Sequence, residues 1–127
     1  MKKKLLATLS TIVILMLCGC GNKVDDTTSE KYISQAKEIV SLINESNYDE
    51  VYTMFNDEMK AALPVKSMSE ITPLITDSGV FKKIDKASVE ERDGNYITVL
   101  VAKYSKGNRI YTITFEDDLE VAGLYIK

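Results

Sequence analysis

Along the chain, the spacing of apolar residues changes character several times. From Leu5 to Leu17 they form an uncharged, largely apolar run of 13 residues behind Lys2, Lys3 and Lys4. From Gly21 to Ser29 the chain is small, polar and charged apart from Val24, a composition that predicts an unstructured tether. Apolar residues then recur every three to four positions, at Ile33, Ala36, Val40 and Ile43, with Ile39 and Leu42 widening the stripe. Thr27 and Glu30 stand at capping-box spacing ahead of that stripe, which predicts a first helix running to about Ser46. Asn47 and Glu50 open a second amphipathic run through Val51, Tyr52, Phe55, Met59 and Leu63, ended by Pro64. A third segment, Ser67 to Ser78, carries Met68, Ile71, Leu74 and Ile75. Its Pro73 demands a helix start at Ser69 or Thr72, and Gly79 stops it.

After Gly79 the period falls to two, and β-branched and aromatic residues become common, which predicts four strands. The first, Val80 to Arg92, is out of step near Lys83, so a bulge or bend is expected there. Asp93-Gly94 is a hairpin signal, and the second strand, Tyr96 to Tyr104, is apolar on both faces and therefore central. Lys106-Gly107-Asn108 turns into Arg109 to Phe115, and Asp117-Asp118 leads to Leu119 to Ile126, where Gly123 marks a bulge or close packing. Three helices followed by an antiparallel meander predict an α+β domain, with the N-terminal helices packed on one face of a curved four-stranded sheet.

Composition narrows the chemistry. The chain has 127 residues, no His, no Trp and two Cys, which excludes His-based nucleophile triads, His-ligated zinc and a histidine pH switch. Both cysteines, Cys18 and Cys20, fall in the N-terminal segment, so disulfides and thiolate sites are excluded from the rest of the chain. The apolar run is short for a spanning helix and has the charged start of an export signal. Leu17-Cys18-Gly19-Cys20 resembles the lipobox of bacterial lipoproteins. That resemblance implies cleavage after Gly19 and a lipid on Cys20, which would hold the protein on the membrane facing outside the cytoplasm. An uncleaved N-terminal helix from Leu5 to Asn22 would face the same way. The expected organisation is therefore a signal peptide over 1–19, a lipidated tether over 20–29 and one domain over 30–127. Losing residues 1–19 leaves 13 basic against 19 acidic residues, a net charge of −6. That balance argues against nucleic acid as partner and against attachment to anionic lipid by basic residues alone.

The helix-then-meander order resembles the cone-shaped nuclear transport factor 2-like fold, the superfamily of ketosteroid isomerase. Phe55-Asn56 with Met59-Lys60, Leu63-Pro64, Gly79 with Phe81, and Val121-Ala122-Gly123-Leu124 resemble the pattern of the domain-of-unknown-function family numbered 3887. Members of that family occur as small lipoproteins and as N-terminal extensions of larger bacterial proteins.

The cone-shaped fold implies a pocket between sheet and helices, with Tyr52, Tyr96, Tyr104, Tyr111 and Tyr125 as candidate lining residues. The plainer reading of the same tyrosines is sheet core with polar tips at the rim. The apolar faces of the middle strands offer no inward carboxylate, so no catalytic residue is assigned. Glu116, Asp117, Asp118 and Glu120 invite a calcium reading but lack the spacing of a calcium loop, so a solvated turn is expected and no metal or cofactor. Lys82, Lys83 and Lys86 are too few for a phosphate or nucleic-acid patch and read as blunting an edge strand. The expected role is a non-catalytic binding or interaction module for an envelope protein or a small apolar ligand. The alternatives are a pocket enzyme of the ketosteroid-isomerase kind, or an accessory or immunity-type lipoprotein that blocks a partner.

Overall fold

The computed structural model describes residues 22–127; Gly19 and Cys20 of the expected lipobox lie outside the described residues. Within them the chain is α+β, with one long and four short α-helices ahead of a four-strand antiparallel meander. A two-residue strand, β1 (Asn22–Lys23), precedes the helices and extends the sheet.

Helix α1 (Asp26–Asn44) starts earlier than the Thr27–Glu30 box predicts, because the Asp25 carboxylate accepts the Thr28 N–H at 2.8 Å and caps it. Aspartate outranks threonine as a cap, and its charge also suits the positive end of the helix dipole. That bond holds the Asp25 carboxyl below its usual range. Ahead of α1, Asn22 pairs with Glu91 and Lys23 with Glu90. Among the described residues, Asn22 and Lys23 are therefore already in regular structure, inside the segment expected to be a bare tether.

The second amphipathic run is two helices, α2 (Tyr48–Thr53) and α3 (Asp57–Ala62), where the periodicity predicts one. The link between them is diverted into the sheet. Met54 C=O accepts the Val121 N–H at 2.8 Å, and the Asn56 N–H donates to Val121 C=O at 2.9 Å. Asn56 then restarts the helix by accepting the Met59 N–H at 2.8 Å, and its amide donates to Glu116 Oε2 at 3.1 Å. Apolar spacing is blind to such a break, because Phe55 and Met59 stay on the buried side throughout. Helix α4 (Val65–Met68), a 3-10 turn over Ser69–Ile71 and α5 (Thr72–Asp77) follow, with Pro73 in the first turn of α5, where its missing N–H costs nothing. Gly79 ends the helical half at φ +91°, and a side chain there would strike Ser105 Oγ.

Strands β2 (Phe81–Arg92), β3 (Asn95–Tyr104), β4 (Gly107–Phe115) and β5 (Val121–Ile126) pair in chain order, so the doubly apolar β3 is central, as its pattern predicts. Register shifts between Phe81 and Lys83 and between Ile84 and Lys86 supply the expected irregularity in β2. Asp93 and Gly94, both at positive φ, make the tight hairpin. Another register shift lies beside Gly123, where an added Cβ would sit 3.4 Å from Thr114. Strand β5 starts later than predicted because Leu119 is held in the preceding turn at φ +71°, its N–H on Glu116 C=O.

One face of the sheet carries Leu100, Ala102, Tyr104, Tyr111, Ile113 and Phe115, all buried. Helix α1 lies against that face with Tyr32, Ala36, Ile39, Val40 and Ile43. Tyr32 stacks on Tyr96 with ring centroids 4.3 Å apart and meets Phe115 at 5.5 Å. On the opposite face Ile97, Val99 and Val101 stay half-buried.

Candidate binding groove

Asn44 continues the α1 stripe one turn beyond Val40, so the helix ends with an amide where an apolar residue is expected. Its Oδ1 lies 2.6 Å from Tyr104 Oη, and Tyr104 Oη lies 2.6 Å from Tyr111 Oη. A side-chain carbonyl only accepts, so the Tyr104 proton points to Asn44 and Tyr111 must donate to Tyr104. The chain of bonds therefore runs Tyr111 to Tyr104 to Asn44, from the buried sheet face to the end of α1. Burial pushes both phenols up. Tyr111 rises furthest, because its donor role adds to burial while the nearby Arg109 charge only partly offsets it.

This arrangement sets the alkaline behaviour. Below about pH 10 a phenol is protonated whether folded or unfolded. Above it the unfolded chain releases protons that folded Tyr104 and Tyr111 keep, so stability falls as pH rises past that point. Tyr111→Phe should cost about 1 kcal/mol at neutral pH and flatten this alkaline decline. Denaturant unfolding of both forms across the alkaline range checks it, and parallel curves would show that buried Tyr111 does not carry the alkaline decline.

Where Asn44 meets the surface, α1 and the start of β2 part into a groove of about 500 Å³, lined by Lys37, Val40, Ser41, Asn44, Glu45, Phe81, Lys83 and Ile84. A second cleft of about 350 Å³ shares Asn44 and Phe81 and adds Ile75, Val80 and Tyr104. The two therefore meet at the polar end of the tyrosine chain, with Phe81 edge-on to Tyr104 at 5.5 Å. Such a mixture, an apolar wall with a few fixed hydrogen-bonding groups, suits a small amphipathic molecule.

Only two of the five candidate tyrosines come together here. Tyr96 is committed to Tyr32, far along the sheet from Tyr104. Tyr52 lies on the helical side, against Phe55 and below the Lys60 ammonium at 5.6 Å. Tyr125 is 63% exposed on the last strand, opposite Thr112, whose side chain alternates away from the buried face. The four strand tyrosines are split because they sit on opposite faces or at opposite ends of the strands, and Tyr52 because it belongs to α2. Asn44, Ser41 and Phe81 escaped the sequence reading. The available signal was the amide closing the Ala36–Val40–Asn44 row.

The acidic turn also resolves. Glu116, Asp118 and Glu120 bring carboxylate oxygens within 4.8 Å of one another. Glu116 is held by the Asn56 amide, and Asp118 Oδ1 accepts the Glu120 N–H at 3.0 Å. These carboxylates build the turn before β5.

A family model described as "Protein of unknown function (DUF3887)" matches residues 36–124. No curated protein matches the chain. A solved NMR structure of a protein from Ruminococcus gnavus ATCC 29149 is similar at 19% identity and a TM-score of 0.65, over 83% of this chain and 96% of that one. At that identity the likeness concerns the fold alone.

Proposed function

This chain belongs to the DUF3887 family of proteins of unknown function, and we propose that it serves as a lipid-anchored, extracytoplasmic binding module without catalytic activity. The observation that carries the binding role is the groove in which the exposed edge of Phe81 and Ile84 meet the polar end of the Tyr111–Tyr104–Asn44 chain. The occupant in this reading is a small apolar molecule with one polar end, its apolar part on Val40, Phe81 and Ile84 and its polar end at Asn44 and Ser41. The anchoring role rests on Leu17-Cys18-Gly19-Cys20 behind the basic start and apolar run. No helix among the described residues is long and apolar enough to cross a membrane. We read the architecture as the cone-shaped nuclear transport factor 2-like fold, supported by helices that cover a single sheet face and by the irregular β2 that bends beside α1.

Native mass spectrometry of the full-length gene product, extracted gently from membranes, tests the binding role. The wild type should carry a small-molecule adduct that is lost on denaturation. Ser41→Trp, which fills the groove from an exposed position, should lose the adduct and keep its melting temperature. A bare wild type, or an adduct equally present on Ser41→Trp, would overturn the proposal.

A further inference from the structure

The free edge of β2 combines three features that edge protection alone does not explain. First, among the described residues β1 covers only Glu90 and Glu91, leaving Phe81 to Val89 as an open sheet edge. Second, the exposed large hydrophobics among the described residues are Val80, Phe81 and Tyr125, and the first two open this edge, Val80 being 66% exposed. Third, Lys82, Lys83 and Lys86 follow at once, all exposed, with Asp85 as the opposing charge on that stretch. The Lys83 ammonium is only loosely paired with Asp85, at 4.0 Å. Three lysines are too few to hold phosphate by themselves and on an edge they discourage strand pairing, but that purpose leaves the adjoining exposed Val80 and the open edge of Phe81 without a reason. Apolar residues beside cationic ones are the composition of a surface that settles into anionic lipid headgroups.

The anchor would sit on the same edge but at its far end. Asn22 pairs with Glu91 near the end of β2, away from Val80 and Phe81, and Cys20 is two residues earlier, a reach of at most about 7 Å, so the whole edge has to lie along the bilayer for both ends to meet it. The domain can therefore pivot about Asn22 but cannot drift from the bilayer. Of the acidic groups near the pivot, Glu90 pairs with Arg92 at 3.0 Å, the Glu91 carboxylate accepts the Gly94 N–H at 2.8 Å and Asp25 caps α1, while Asp26 and Asp93 stand exposed beside them. Screening acts over about 8 Å in physiological salt, so the local excess of lysine governs this edge whatever the charge of the whole chain.

We propose that the edge from Val80 to Lys86 is the surface the domain turns to an anionic bilayer, with Val80 and Phe81 entering the headgroup region and Lys82, Lys83 and Lys86 meeting phosphate groups. This rests on the lipid-anchor reading: the acyl chains supply attachment, and the edge supplies orientation. The groove, bordered by Phe81 and Lys83, then lies beside the membrane surface.

The chain lacks Trp, so one substitution makes a unique reporter. Phe81→Trp, Val80→Trp and Tyr125→Trp would each be made in the full-length gene, purified from membranes, checked for acylation by intact mass, and reconstituted on vesicles of phosphatidylcholine with and without phosphatidylglycerol. With phosphatidylglycerol present, emission from positions 80 and 81 should shift to the blue and be quenched by brominated acyl chains. Position 125 should show neither change. High salt, or Lys82→Glu with Lys83→Glu and Lys86→Glu, should abolish both. Acylated protein with equal quenching at all three positions, or with none at 80 and 81, would overturn the edge proposal alone. Protein without acyl mass would overturn the anchor reading and this proposal with it. Val80→Trp keeps the test valid should Phe81→Trp disturb its contact with Tyr104.

Discussion

Phe115→Ala should lower the stability of the domain by about 3–5 kcal/mol, the usual cost of emptying a buried aromatic site. Phe115 is wholly buried at the point where the two halves of the fold meet. Its ring faces Tyr32 of α1, its backbone pairs with Tyr96 and Val121, and Val121 in turn holds the Met54–Asn56 link between α2 and α3. Truncation therefore leaves a cavity under α1 and loosens the strand that carries the helical break. Domains of this size have total stabilities of about 5–15 kcal/mol, so the variant should lose roughly a fifth or more of its margin. Denaturant unfolding should show a lower midpoint with little change in slope. Tyr125→Ala, at an exposed position, should stay within about 0.5 kcal/mol of wild type. A loss below about 1 kcal/mol for Phe115→Ala would mean that the junction between sheet and α1 is not where the fold's stability resides.

The elements that were legible in the sequence are those governed by local rules. Alternation along Tyr111, Ile113 and Phe115 specified the buried face of β4, and Asp93-Gly94 specified the hairpin because both positions need positive φ. The β2 irregularity showed as an apolar pattern that could not be kept in phase. What escaped was set by distant partners. The chain breaks at Met54–Asn56 because β5 offers backbone bonds there, and no spacing within the second run announces a partner more than sixty residues away. The short β1 likewise exists only because the β2 edge receives it. The candidate site was half visible for the same reason. Tyr104 and Tyr111 could be placed on one buried face by alternation, but the groove is defined by Asn44 and Phe81, from elements that meet only in three dimensions.

The larger functional prediction concerns the anchor, on which both the proposed role and the membrane-facing edge rest. Two acyl chains, at about 0.8 kcal/mol for each buried methylene, hold a protein stably where one chain does not. In the proposed anchor the Cys20 thiol receives those chains, so its removal should release the whole effect at once. Metabolic labelling of cells with a radioactive fatty acid, comparing wild type with Cys20→Ser, is therefore the most direct measurement. The wild type should carry label on a shortened chain that begins at Cys20, and Cys20→Ser should remain an unlabelled precursor of full length. Equal labelling of the two, or a wild type that carries no label, would contradict lipid anchoring at Cys20.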